Sequence, residues 1–213
     1  MGSHMSDDVK IAGNRTVKDW QKAKQTLVPG ADPKSWKTAF HSYFDARLST
    51  RYLKPIESLQ TNRTLNGEGF SILTIHCSMI EFLESTLQGR SYRQCPRRND
   101  SPLGQYEYCK SGEIFSAFLT KRQPFCKVFN ASLATDFYSG VRCALLHEAR
   151  TKDGWIVKAN GSVIAEVTGG KKLVYRNNFQ DALLSFIEWY RRALPVDRVL
   201  QEAFIRKFDS LCL

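Results

Sequence analysis

Apolar positions recur at steps of three and four along most of the chain, which predicts a mainly helical protein. Thr16 to Leu27 reads as a short helix closed by Pro29-Gly30. Asp32-Pro33 starts a second one, with Asp as N-cap and Pro at the first helical position. Trp36, Phe40, Tyr43, Phe44, Leu48 and Tyr52 then form an aromatic stripe on one face, expected to be core, with Pro55 as its end or a kink. Thr61 to Gly69 is a polar loop. Phe70 to Leu87 is apolar on nearly all sides and is expected to be buried or shared with a partner. Arg90 to Tyr108 is irregular and broken by Pro96 and Pro102, and Ser111 to Lys121 returns to helix before Pro124. Phe137 to Arg150 forms the next helix, with Asp136 as its expected cap and Lys152-Asp153-Gly154 as its expected end.

After Gly154 the period changes to two. Trp155–Lys158, Ser162–Val167 and Lys171–Tyr175 read as three strands, with Asn160-Gly161 as a hairpin turn and Gly169-Gly170 as a second turn. This predicts a small antiparallel meander. Asn178 is expected to cap a helix running to about Leu194, and Val199 to Leu211 is a last helix after Pro195. Met1-Gly2-Ser3-His4-Met5 looks like a tag remnant. The expected organisation is a flexible N-terminus over 1–15, a helical body over 16–152, and a meander with C-terminal helices over 153–213.

Composition narrows the function. Hydrophobic residues make up 42% and aromatic residues 12%, enough to fill a core and to exclude global disorder. The net charge of +10 favours a polyanionic partner, most simply nucleic acid. The loop arginines Arg90, Arg93, Arg97 and Arg98 suit phosphate contact. No apolar run approaches the roughly 20 residues of a membrane helix, so no membrane partner is expected. The six cysteines show no C-x-x-C spacing and histidine is scarce, so neither a metal site nor a cofactor is expected. Reduced thiols and a cytoplasmic location follow as expectations.

Three histidines follow the tag: His41, His76 and His147. The first two sit in aromatic or apolar helices, where a structural role is expected. His147 lies near the end of its helix, where the helix dipole favours positive charge. At about 100° per residue, Arg142 and His147 lie about 140° apart. They bound a face that also carries Ser139, Cys143, Leu146 and Arg150. Phe137, Tyr138, Val141, Ala144 and Leu145 form the opposite, core face. An arginine that holds a phosphate and a histidine that moves a proton are the minimum set for cleaving RNA through the ribose 2′-OH. One histidine does not serve comfortably as both acid and base, so a second copy is chemically attractive.

Arg142-Cys143-Ala144-Leu145-Leu146-His147 resembles the R-x4-H form of the motif of the HEPN superfamily, whose members are helical domains and often metal-independent endoribonucleases. Tyr138 through Arg150, followed by a Trp-containing strand, is similar to prokaryotic members with a hairpin after the motif. The resemblance spans about residues 35–152. It implies Arg142 and His147 as the catalytic pair, and a homodimer with facing motif helices acting on RNA. A toxin–antitoxin or phage-defence setting, with an antitoxin or regulatory protein as further partner, is also implied. The family often carries an acidic residue on an earlier helix, a place that Glu81 or Glu84 fills; Ser139, Cys143 and Arg150 are further supporting candidates. Cys143 departs from the pattern, since many active members place Asn, Asp or His after the arginine. A thiol is a poor orienting group. The rival expectation is therefore a non-catalytic module that binds nucleic acid, a nucleotide or a partner protein. No helix-turn-helix pattern supports a duplex-DNA regulator.

Overall fold

The computed structural model describes residues 6–62 and 66–213, so residues 1–5 and part of the Thr61–Gly69 loop lie outside the described residues. The fold is mainly α. The chain divides into two compact units: residues 1–55, 85–110 and 189–213 form unit 1, and residues 56–84 and 111–188 form unit 2. This division crosses the expected boundary at 152, because the chain leaves unit 1 and returns to it twice.

Unit 1 begins with a short pair of strands, β1 (Lys10–Ala12) and β2 (Arg15–Thr16). The N-terminal stretch is thus not frayed throughout: Ile11 and Ala12 are buried, and Arg47 donates to the Ile11 carbonyl. Helix α1 (Val17–Lys24) starts with a capping box in which Thr16 and Asp19 satisfy each other's backbone N–H. Helix α2 (Pro33–Ala39) starts at the expected Asp32 cap. The helical path then continues through a wide π-type turn (Phe40–Asp45), α3 (Ala46–Leu48), a second wide turn (Ser49–Leu53) and α4 (Lys54–Thr61). Pro55 therefore does not end the helix; the boundary between units falls there instead. The aromatic stripe is core, with Trp36, Phe40, Tyr43, Phe44 and Leu48 all buried.

Helix α5 (Glu68–Gln88) matches the apolar run closely, and its turns from Ile72 to Leu87 are largely buried. It leads into β3 (Ser91–Tyr92), which pairs in parallel with β4 (Glu107–Tyr108). Cys95 and Cys109 form a disulfide just beyond these strands. That bond overturns the expectation of six reduced thiols. A disulfide persists where the surroundings are oxidising, so the cysteines no longer argue for a cytoplasmic location. Among the described residues no helix is long and apolar enough to cross a membrane.

Unit 2 contains α6 (Ser111–Lys121), then α7 (Ala131–Phe137), a wide turn (Tyr138–Cys143) and α8 (Ala144–Glu148) in one unbroken helical run. Three strands follow: β5 (Trp155–Lys158), β6 (Ala165–Thr168) and β7 (Lys171–Tyr175). The expected antiparallel meander is corrected here. β6 and β7 form an antiparallel hairpin around Gly169-Gly170, but β5 pairs with β7 in parallel. A tight hairpin at Asn160-Gly161 would need positive φ at both residues, and neither has it. Asn160 and Gly161 are instead tied to the start of α9 (Arg176–Ala193): Asn177 donates to the Asn160 side chain, and Asn178 exchanges two hydrogen bonds with the Gly161 backbone. Asn178 is thereby the third residue of its helix rather than the cap. The last helix, α10 (Arg198–Ser210), lies in unit 1 with α1: Asp209 accepts from Trp20 Nε1 at 2.9 Å and pairs with Lys24 at 2.6 Å.

Candidate active site

The helical run that carries the motif begins earlier than expected. Asn130 caps it, accepting from the Leu133 amide at 2.9 Å. Asp136 is internal; its carboxylate accepts from Trp155 Nε1 at 2.8 Å and pairs with Lys172 at 2.7 Å. The run ends at Glu148, with Ala149 in the left-handed region at φ 53°. Arg150 is past that end, so it is not on the helix face. It is exposed and pairs with Glu148 at 3.0 Å.

The wide turn shapes the site. In such a turn the backbone bonds reach five residues back, so one extra residue is accommodated. The Gly140 carbonyl accepts from the Lys152 amide at 2.8 Å, and a Cβ on Gly140 would come within 2.8 Å of the Trp155 ring. Glycine therefore lets the loop and β5 close against the turn. The expected core face holds: Phe137, Val141, Ala144 and Leu145 are buried. Tyr138 is half-buried.

Arg142 projects from the wide turn. Its guanidinium meets the Glu81 carboxylate at 3.4 Å, with both side chains about one-fifth exposed. The same guanidinium lies 5.4 Å from the centre of the Tyr138 ring. Burial disfavours its charge, but the Tyr138 and Glu81 side chains outweigh that, and its pKa is raised. Arg142 is a fixed, positioned cation. The Tyr138 hydroxyl is 2.8 Å from Ser111 Oγ, and burial raises its pKa against the pull of Ser111 and Arg142. Cys77 is buried nearby and its thiol is pushed up to about 12 by desolvation, so it is inert at neutral pH.

Glu81 is therefore brought to Arg142, while Glu84 is engaged elsewhere, by Arg122. Ser139 is exposed and donates to the Asp136 carbonyl of its own helix at 3.1 Å. Cys143, half-buried, interacts with Arg142. His147 is exposed one turn on and makes no hydrogen bond or ion pair among the described residues. Beside it, Leu146 is 57% exposed. Of the other histidines, His41 is exposed 3.7 Å from Asp45, and His76 is fully buried and stacked on Phe179. Among the described residues no three His, Cys, Asp or Glu side chains converge as a metal cluster would.

Sequence reasoning missed two members of this cluster. The helical period puts Tyr138 on the core face, although its position four residues before Arg142 places the two side chains together on a helix. Ser111 has no local signal, since only tertiary packing brings it to Tyr138. The loop arginines also separate. Arg93 bonds Ser101, Pro102 and Glu107, and Arg90 donates to the Glu107 carbonyl at 2.6 Å. Arg97 and Arg98 are exposed.

Compared with protein-family models, curated proteins and solved structures, the chain matches none.

Proposed function

We propose that the chain is a HEPN-like, metal-independent endoribonuclease that works as a homodimer. The observation that supports this best is the placement of Arg142. It is a half-buried arginine held by Glu81 and the Tyr138 ring, one turn before an exposed histidine at the end of the same helical run. Arg142 binds the scissile phosphate and stabilises the charge that builds on it. A His147 side chain takes the proton of the 2′-OH as that oxygen attacks phosphorus. The His147 of a second copy protonates the departing 5′-oxygen. The products are a 2′,3′-cyclic phosphate and a 5′-OH. The exposed Leu146 beside His147 gives a second motif helix an apolar surface to meet.

The test is cleavage of mixed RNA in EDTA by the wild type, Arg142→Ala and His147→Ala, with product ends identified by mass spectrometry. The wild type cuts and both variants lose activity by at least about 100-fold. Equal cleavage by all three, or cleavage abolished by EDTA, refutes the assignment. The second reading is a non-catalytic RNA-binding module. It is favoured by Cys143, which interacts with Arg142 where a better orienting group would serve catalysis. Retained RNA binding with no cutting selects it.

A further inference from the structure

The disulfide-closed segment of unit 1 carries features that the active site does not use. Residues 90–110 hold five basic side chains against two acidic ones, Asp100 and Glu107. Both acids are committed inside the segment. Asp100 accepts from the Arg97 amide at 2.7 Å, and Glu107 accepts from Arg93 at 3.0 Å and from the Gly104 amide at 2.8 Å. Arg93 also donates to the Ser101 and Pro102 carbonyls. With the β3–β4 pairing and the Cys95–Cys109 bond, these contacts fix the backbone of the segment.

On this braced frame two rings and two cations face solvent. Tyr92 is 59% exposed and Tyr106 43% exposed, and the two lie on adjoining chains, since the Ser91 amide donates to the Tyr106 carbonyl at 2.9 Å. The Arg206 guanidinium stacks 4.3 Å from the Tyr106 ring centre. Arg97 and Arg98 are exposed, and their side chains make no hydrogen bond or ion pair among the described residues.

We propose that this segment is a binding surface for single-stranded RNA. Tyr92 and Tyr106 stack unpaired bases, Arg97 and Arg98 contact the phosphates, and Arg90 and Arg93 brace the frame without touching the ligand. Exposed aromatic rings among cations recognise single strands, because only unpaired bases offer a free face for stacking. A duplex hides those faces. The inference rests on the RNA reading of the chain but not on its chemistry, and it enlarges the contact from one phosphate to several nucleotides.

The test is fluorescence anisotropy with a 2′-O-methyl oligouridine, which cannot be cut through its 2′-oxygen, and with a duplex RNA of equal length. The wild type binds the single strand more tightly. Tyr92→Ala and Tyr106→Ala each weaken that binding about tenfold, and the double variant Arg97→Ala/Arg98→Ala weakens it and flattens its salt dependence. The Cys95→Ser/Cys109→Ser variant weakens it by loosening the frame, and thermal melts confirm that every variant is folded. Binding that all loop variants retain within twofold, equal affinity for the duplex, or no binding by the wild type overturns the proposal. Cleavage of ordinary RNA, measured separately, reports on the active site alone, so the two readings fail independently.

Discussion

Arg122 holds the buried carboxylate of Glu84 through two parallel hydrogen bonds, each 2.8 Å long. Glu84 is fully buried and Arg122 is 29% exposed. The pair raises the arginine's pKa chiefly through the hydrogen bond to Glu84. Arg122→Ala strips this partner from a buried charge. Fully buried pairs lose about 3–5 kcal/mol in this way, and the partial exposure of Arg122 lowers the expected loss to about 2–3 kcal/mol. Urea unfolding measures it. A loss below about 0.5 kcal/mol would show that the pair is a surface decoration.

His76 makes stability depend on pH. Desolvation lowers its pKa from 6.5 to about 3; Gln180 interacts with the ring and pulls the other way, and Arg176 adds to the lowering. Neither ring nitrogen has a hydrogen-bond partner in good geometry. The unfolded chain takes up the proton as pH falls below 6.5, while the folded chain does not until about pH 3. Stability from this group is therefore complete above pH 6.5 and declines as pH falls through that window. The loss is about 2 kcal/mol between pH 7 and pH 5. His76→Leu removes that dependence. Paired urea titrations at the two pH values check it, and parallel slopes for both proteins would refute it.

Gly140→Ala places a methyl 2.8 Å from the Trp155 ring and 3.2 Å from the Lys152 carbonyl. Overpacking of this kind costs about 1–3 kcal/mol. The expected signature is a lowered melting temperature with altered tryptophan fluorescence, because Trp155 must shift to admit the methyl. Unchanged fluorescence and stability would show that β5 does not close on the turn.

On the ribonuclease reading, Tyr138 is a positioning residue for Arg142. Tyr138→Phe keeps the ring beside the guanidinium and loses the hydroxyl's contacts with Ser111 and Cys143, so cleavage falls by less than about threefold. Tyr138→Leu removes the ring and lowers cleavage by about tenfold. Single-turnover rates and KM separate this from simple unfolding: the Phe variant restores the rate if the ring is what matters. Equal loss in both variants would assign the effect to the hydroxyl.

Much of the helical framework was legible because burial on a helix leaves a periodic trace. Phe70–Leu87 against the observed Glu68–Gln88, and the Asp32-Pro33 start, show pattern and capping chemistry agreeing. The wide turns left no such trace. A shift from four-residue to five-residue bonding changes no residue type, so the 100° spacing assumed across Arg142 does not hold through Tyr138–Cys143. Asn160-Gly161 misled because its usual meaning is local, while here Asn177, Asn178 and the Tyr175 ring decide its conformation.

At the candidate site, Arg142, His147 and Glu81 were visible as residue types at suggestive places. Glu81 and Glu84 could not be told apart, because two positions three residues apart on one helix lead to different neighbours only after packing. The disulfide was equally hidden: Cys95 and Cys109 are fourteen residues apart and meet because β3 and β4 run in parallel.

The wide turn at Tyr138–Cys143 also gives the motif helix a tolerated splice point. A helix normally answers a one-residue deletion with a break or a buried side chain turned outward. Here the loss of one residue, such as the exposed Ser139, is absorbed as five-residue bonding relaxes to four, and everything downstream keeps its bearing about the axis. His147 would then keep its present direction while the helix itself stayed whole. Length can change here without changing aim, so the direction of the histidine does not depend on the extra residue that widens the turn.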